Sequence, residues 1–495
     1  MEHRMNETGT TAGIHLPGWV ERVVDSLGVG PHVVVTGISP SGNIHNLREV
    51  LVAEAVANAL KVRGEEVRFI FHADTIDPLR KIAPGIPKHY EEYIGHSLSR
   101  VPDPEGCHVS YAEHFLVPFE EVLGEMGMEI EVLRSHELYE AGVYADVTRE
   151  ALEHTEELRV VLQEISGREM PEHWSPFLPR AASGKLTGAR ILEHVPDEQK
   201  VVYADEDGWE DEADYSKGEG KLGWRVELPA RWKALGVTFE PFGKDHTSRG
   251  SSTDTADRIS REVFRYPVPG RYEYEWISIK GQGAMSSSKG IVLLPKDLLR
   301  IMPPNALRRM MLGRDPARAI EIDLGEGFPP FMDEYRAEIE DHPVPFTHLV
   351  TVAQTVGGDV DAAAGMLRRG GYSEAADDRQ KLARNLSYAR EWAERWAPES
   401  MRLGLLKLGE SREAAAGLDE EQRAYLREVS ERLAPEMDGG AVQDLLYTTA
   451  IGRGLKPKRA FTAVYKVLLG KTSGPKAGPF IAGLPPDRVH ERLSV

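Results

Sequence analysis

A β-branched run, His32-Val-Val-Val-Thr-Gly37, passes into a turn rich in glycine and serine, Gly37-Ile-Ser-Pro-Ser-Gly-Asn-Ile-His45. From Asn46 to Val62, Leu47, Val50, Leu51, Leu60 and several alanines recur at helical spacing, and a second β-type run follows, Glu66-Val-Arg-Phe-Ile-Phe-His72. Strand, tight turn, helix and strand make a parallel βαβ unit, whose turn lies at the carboxyl end of the sheet where ligands gather. Gly37 and Gly42 let a nucleotide approach the backbone, and the N–H groups opening the helix suit phosphate, with His45 at the mouth of the turn. Taken alone, such a turn is equally an ordinary strand-to-helix connection.

At 495 residues the chain exceeds what one hydrophobic core usually organises, so a nucleotide-type α/β domain with insertions and a separate module is expected. Apolar residues make up 41% and charged residues 28%, an ordinary globular balance. No run approaches the roughly 18–20 apolar residues that span a bilayer, which predicts no membrane association and a cytoplasmic location. The one cysteine, Cys107, reads as a small packing residue; it excludes an internal disulfide and any zinc site built from paired cysteines. A net charge of −19 opposes nucleic-acid binding unless basic residues cluster locally.

The turn at Gly37 gains meaning from a second loop about 240 residues later, Gly283-Ala-Met-Ser-Ser-Ser-Lys-Gly290, small, polar and carrying one cation. Two such loops can close on a triphosphate from both sides. Pro40-Ser-Gly-Asn-Ile-His45 resembles the first signature of class I aminoacyl-tRNA synthetases, and Met285-Ser-Ser-Ser-Lys-Gly290 resembles the second. Between and beyond them, Asp77-Pro-Leu-Arg-Lys-Ile82, Pro102 to Phe115, Pro241-Phe-Gly-Lys-Asp-His246, Ala460 to Lys471 and Gly474-Pro-Lys-Ala-Gly478 are similar to the archaeal lysyl type. The resemblance runs from about residue 20 to the C-terminus.

That resemblance implies activation of L-lysine by ATP and transfer to tRNA(Lys), with no protein nucleophile, so that catalysis is positioning and charge stabilisation. It implies His45, Asn46 and Lys289 as catalytic residues. Pro40, Ser41, Gly42, Asn43, Ile44, His45, Asn46, Ala284, Met285, Ser286, Ser287, Ser288 and Lys289 would bind ATP, and Mg2+ would be held mainly through ATP oxygens. Gly37 and Ser39 would hold the backbone end of lysine, with Trp224, His246 and Tyr274 around the side chain; Trp232 competes with Trp224, and Asp74, Asp77 and Asp245 are further carboxylates for ammonium or ribose. No resident metal and no structural zinc are expected.

Three departures stand out. His45 runs directly into Asn46-Leu-Arg-Glu49, two residues shorter than the family pattern, so either the helix starts earlier or the pocket is reshaped. Ala284 stands where the second signature usually opens with lysine. Between about Met170 and Lys221, where many relatives carry cysteine pairs, this chain has Trp174 to Arg180 and an acidic stretch, Asp205 to Glu212, which reads as a solvated loop.

The predicted layout is a flexible segment 1–20, a Rossmann-like catalytic domain 21–290 with an insertion at about 98–235, a connecting region 291–335 and an all-α anticodon-binding domain 336–495. Helical patterns fall at 298–312, 314–320, 376–394, 418–434 and 457–469. Between Asp444 and Asp487 there is no acid, while Arg453, Lys456, Lys458, Arg459, Lys466 and Lys471 form a candidate tRNA surface, with Tyr465, Phe480 and Arg459 as candidate base contacts. A monomer is expected, with homo-oligomers left open. Three alternatives remain: a tRNA-binding paralogue impaired in activation, a small-molecule adenylyl transferase, and a synthetase for another amino acid such as glutamate.

Overall fold

The computed structural model describes residues 17–494 except 40–42, 84, 168, 249, 282, 285–292 and 341–343. Two compact units divide the chain, Met1–Lys296 with Arg308–Ile322, and Asp297–Leu307 with Asp323–Val495.

The first unit is built on strands β1 (His32–Ile38), β2 (Val67–Ala73) and β3 (Glu131–Arg134), the short strands β4 (Phe177–Pro179), β5 (Arg190–Val195), β6 (Lys200–Ala204), β7 (Glu210–Asp214) and β8 (Gly220–Leu222), and then β9 (Phe239–Gly243) and β10 (Gly270–Tyr274). The central sheet is wholly parallel in the order β10-β9-β1-β2-β3, with His32 opposite Val67 and Ile38 opposite Ala73. Val34, Val35 and Thr36 of β1 are fully buried, as expected of a strand covered on both faces. Helices α1 (Gly18–Leu27), α2 (Ile44–Val62) and α3 (Tyr111–Glu125) flank the sheet elements. α2 buries Leu47, Val50, Val52, Val56, Ala59 and Leu60 around most of its circumference, so it is a core helix; each such fully buried Val or Leu contributes roughly 1.5–3 kcal/mol.

The acidic stretch is not a plain loop. Asp205 closes a hairpin turn, accepting from the N–H groups of Asp207 and Trp209, and Glu210–Asp214 continues as β7, antiparallel to β6. A cluster around Tyr139, Tyr144, Phe177, Val201, Tyr203 and Tyr215 also takes in Ile259 and Phe264, so the β4–β8 region shares its core with the chain that follows it. Beyond β10, strands β11 (Ile277–Ile279), β12 (Gly283–Ala284) and β13 (Ile320–Ile322) form a small mixed sheet. The helix predicted over 298–312 is two, Pro295–Leu299 and Pro304–Leu312, because Pro303 and Pro304 supply no N–H and disfavour a helical residue before them. Residues 314–320 are a turn running into β13 rather than a helix, with Asp315 capping Ala317 N–H.

In the second unit every described element after β13 is helical. Trp392 stacks on Phe328 at 5.9 Å and donates Nε1–H to Leu324 O. Helices Glu420–Arg432, Gly439–Gly452, Pro457–Leu469 and Pro486–Leu493 close a second core around Tyr425, Leu446, Val464 and Leu468.

Candidate active site

A cavity of about 620 Å³ opens at the carboxyl end of the parallel sheet in the first unit. It is lined by Gly37, Ser39, His45 and Asn46 at and after the end of β1, by Asp74 and Asp77 to Lys81 after β2, by Lys244, Asp245 and His246 after β9 and by Tyr274, Glu275 and Trp276 at and after the end of β10. Trp224 and Glu49 complete it. The predicted residues Gly37, Ser39, His45, Asn46, Trp224, His246 and Tyr274 therefore share one cleft. Pro40, Ser41, Gly42, Met285, Ser286, Ser287, Ser288 and Lys289 lie outside the described residues; the backbone of Ala284 pairs with Ser278 in the β11–β12 hairpin.

At the shortened signature α2 begins at Ile44, two residues before the predicted Asn46, with Asn43 as its cap. Asn43 Oδ1 accepts from His45 N–H and Asn46 N–H, while Asn46 Oδ1 accepts from Asn43 N–H. Ile44 N–H donates to Leu293 O, and the Ile44 side chain is fully buried. This corrects two expectations. The opening N–H groups of α2 already have protein acceptors and so are not free to donate to an anion, and Ile44 is a core residue. His45 is placed differently, since its Nε2 is buried with no hydrogen-bond partner and its ring meets Trp276 edge-on at 6.1 Å. Burial, helped by the Arg48 charge, lowers the pKa of His45, so near neutral pH it is an uncharged ring with a nitrogen to offer.

Sequence reasoning missed Glu49. Its carboxylate accepts from Tyr274 Oη at 2.6 Å and from Thr36 Oγ1 at 2.8 Å, and burial pushes its pKa up to about 8, against the pull of those two donors. Near neutral pH it is therefore mostly a neutral carboxyl, in a cleft that Trp224 and Tyr274 also line. The neighbouring Arg48 is fully buried and donates to Glu275 O, Pro316 O and Arg318 O, which ties α2 to the Glu275–Trp276 corner from which the second signature departs.

Gly37 earns its place by close approach. A Cβ there would lie 2.4 Å from Arg231 Nη1, and that guanidinium is held by Glu240 and lies 3.6 Å from Asp74. Trp232 donates Nε1–H to Glu240 at 2.6 Å from inside the core, which leaves the cavity wall to Trp224. His246 is 43% exposed in its side chain, with Nδ1 3.1 Å from Ser252 Oγ and Nε2 3.5 Å from Asp245.

Cys107 is exposed, not packed. Asp103, Cys107, His108 and His114 each place one donor atom so that all four lie within 4.8 Å of one another. Cys107 Sγ is 3.0 Å from His108 Nδ1 and 3.3 Å from His114 Nδ1, and His114 Nδ1 is 3.1 Å from Asp103 Oδ1. One sulfur, two imidazole nitrogens and one carboxylate are a donor set of the kind that zinc takes, with ligand bonds of about 2.0–2.3 Å. The spacing Asp-x3-Cys-His-x5-His was visible in the sequence, but a template of paired cysteines passes over it. Purified protein is expected to carry about one zinc per chain. Plasma mass spectrometry should find it lost in the Cys107→Ser, His114→Ala double variant; a variant with undiminished metal would dissociate the ion from this cluster.

In the second unit the predicted tRNA residues separate. Arg453 is paired with Glu428 at 2.6 Å, Arg459 with Asp419, and Lys471 donates to the carbonyls of Glu399, Ser400 and Arg402. Lys456 and Lys458 are exposed and Lys466 is half-buried. Tyr465 and Phe480, offered as base contacts, are core residues at 8% and 2% exposure: Tyr465 is on the inward face of the amphipathic helix Pro457–Leu469, and Phe480 is in the short helix Ala477–Gly483, which is buried along most of its length. The exposed aromatic side chain here is Tyr447, beside exposed Ile451 on the outer face of Gly439–Gly452.

A parallel sheet with a cleft at its carboxyl end, lined by His45 and Asn46 after β1 and by Trp224 and Tyr274, is consistent with the fold of a class I aminoacyl-tRNA synthetase. The family described as tRNA synthetases class I (K) matches residues 19–348, and the chain belongs to it. It is 39% identical to the lysine–tRNA ligase of Archaeoglobus fulgidus over 480 residues, covering 93% of this chain and 96% of that one. It is 36% identical to lysine–tRNA ligase 1 of Methanosarcina acetivorans, with 92% and 93% covered, and 34% identical to the lysine–tRNA ligase of Methanococcus maripaludis, with 96% and 98% covered.

Proposed function

We propose that the chain is a lysine–tRNA ligase, activating L-lysine with ATP and transferring it to the 3′ end of tRNA(Lys). The observation that carries the choice of amino acid is the Glu49 carboxylate, held by Tyr274 and Thr36 at the inner end of the cleft. On losing its proton it becomes a counter-ion for the ε-ammonium of lysine, whereas a glutamate side chain there would bring a second carboxylate and no cation to hold Glu49 ionised. Trp224 and Tyr274 flank the four-carbon stem, and Gly37, Ser39 and His246 surround the backbone end.

In the first step a lysine carboxylate oxygen attacks the α-phosphorus of ATP, the bond from that phosphorus to the bridging oxygen breaks, and pyrophosphate leaves. His45 Nε2 donates to a phosphate oxygen, the N-terminal end of α2 supplies a positive field, and Lys289 neutralises the leaving group. Mg2+ bound through the ATP oxygens supplies further charge neutralisation. In the second step a hydroxyl of the terminal tRNA ribose attacks the lysyl carbonyl, releasing AMP. Exposed Tyr447 with Lys456 and Lys458 is the anticodon-side surface, where an unstacked base has an aromatic face and its phosphates have cations. No described helix is long and apolar enough to cross a membrane; we take the chain to act as a cytoplasmic monomer.

The test is ATP–pyrophosphate exchange with each amino acid in turn, with and without tRNA(Lys), at low and high potassium chloride. Exchange with lysine alone is expected. Exchange with glutamate would overturn the amino-acid assignment, and tRNA binding without exchange under any condition would make the chain the impaired paralogue that the shortened first signature raised.

A further inference from the structure

The cleft holds more positive charge than the two small substrates use. Of the cations along its wall, Lys244 is committed to Glu275. Arg80 and Lys81 are not committed in that way. Arg80 is 69% exposed in its side chain with only a 3.9 Å approach to Asp77, and Lys81 is exposed with no partner among the described residues. In a chain of net charge −19, two adjacent open cations on the rim of a ligand cleft are not background.

The segment carrying them is built to hold them there. Leu79 N–H donates to His96 O, Gly95 N–H to Leu79 O and Leu98 N–H to Asp77 O. Leu79 packs with Tyr90, Val101 and Tyr111, and the buried Lys221 ammonium pins Asp77 from behind. The same segment joins the β4–β8 region through a bridge between His96 and Lys185. Arg80 and Lys81 thus ride on a braced loop, so little ordering entropy opposes ligand binding there.

Their place in the sheet says which anion they serve. The β11–β12 hairpin, after which the second signature begins in sequence, follows β10, which lies on one side of β1 in the sheet order. Arg80 and Lys81 follow β2, on the other flank. The anion left to bind on that side is the one substrate that must enter the cleft by its end, with its phosphates trailing out across the rim. We propose that Arg80 and Lys81 bind the backbone phosphates of the unpaired 3′ end of the tRNA and so position its terminal ribose over the activated lysine. This rests on the reading that tRNA is the acyl acceptor.

The experiment compares the full chain with Arg80→Gln, Lys81→Gln and the double variant, using tRNA(Lys) with and without its last three nucleotides. The double variant is expected to bind intact tRNA about tenfold more weakly, and its slope of log affinity against log salt is expected to fall by about 1.4, two single-strand phosphate contacts at roughly 0.7 each. On the truncated tRNA, variant and unaltered protein should bind alike, and Arg80→Lys should recover most of the loss. KM for ATP rising in place of tRNA affinity would hand the pair to the triphosphate and overturn the proposal. Equal weakening on truncated tRNA, or no change on either, would overturn it as well. Failure of the unaltered protein to charge tRNA(Lys) would instead strike the underlying reading. Both side chains are exposed, so unchanged circular dichroism melting is the check that the variants fold.

Discussion

Replacing Glu49 with glutamine is expected to lower kcat/KM for lysine by about 100- to 1,000-fold, a loss of roughly 3–4 kcal/mol at 1.4 kcal/mol per tenfold, within the range for breaking a buried ion pair. The amide has the shape of the carboxylate but no charge for the ε-ammonium, and it offers one acceptor oxygen where the carboxylate offers two to Tyr274, Thr36 and the substrate. The pH dependence carries a second signature of the same group. In the ligand-free cleft burial pushes the Glu49 pKa up to about 8, so at pH 7 most sites hold a proton that must leave before lysine binds. Lysine affinity should therefore rise nearly tenfold per pH unit up to about pH 8 and then level off, and the glutamine variant should lack that rise. For stability the sign is opposite. A carboxyl whose folded pKa lies above its unfolded value holds an extra proton when folded, so stability falls with rising pH between the unfolded value and about 8. Glu49→Gln should then melt no lower than the unaltered protein at pH 8, which separates lost recognition from lost fold. A variant that charges lysine normally would remove Glu49 from the pocket.

Glu49 illustrates what sequence alone leaves hidden. The βαβ unit was legible because a strand buried on both faces reads as a continuous apolar run, and β1, α2 and β2 fall within two residues of their predicted bounds. Glu49 lies inside that legible unit, yet its role is made by Tyr274, 225 residues away. No local pattern encodes such a pair. The helix start was misplaced for a local reason, since the Asn43–Asn46 capping box moves the first turn to Ile44 and uses the donors assigned to phosphate. Tyr465 and Phe480 failed as base contacts because an aromatic on a helix reads the same whether it faces a core or a ligand, and packing alone decides. The basic stretch of the second unit was legible as composition, but which of its cations stay open depends on Glu428 and Asp419, on neighbouring helices.

His45→Ala is expected to lower kcat for lysine activation by about 100- to 1,000-fold, the usual cost of removing one preorganised donor from developing phosphate charge. The side chain is poised for that role by what it lacks. Its Nε2 is buried without a partner, while the backbone donors beside it are consumed by Asn43. An orphaned buried nitrogen costs stability in the empty protein, and that cost is recovered when a phosphate oxygen arrives. If the bond strengthens as charge shifts onto the leaving phosphates, the loss falls on kcat, with KM for ATP moved much less. A ring serving only as packing would behave otherwise, since its truncation would lower the melting temperature and leave kcat within a few-fold. Burial also holds the pKa of His45 below its ordinary value, so the unaltered enzyme should show no limb near pH 6.5 in its kcat profile. An imidazolium at this site would produce one, with activity declining as pH rises through it, and that profile would mean that His45 acts through charge rather than as a neutral donor.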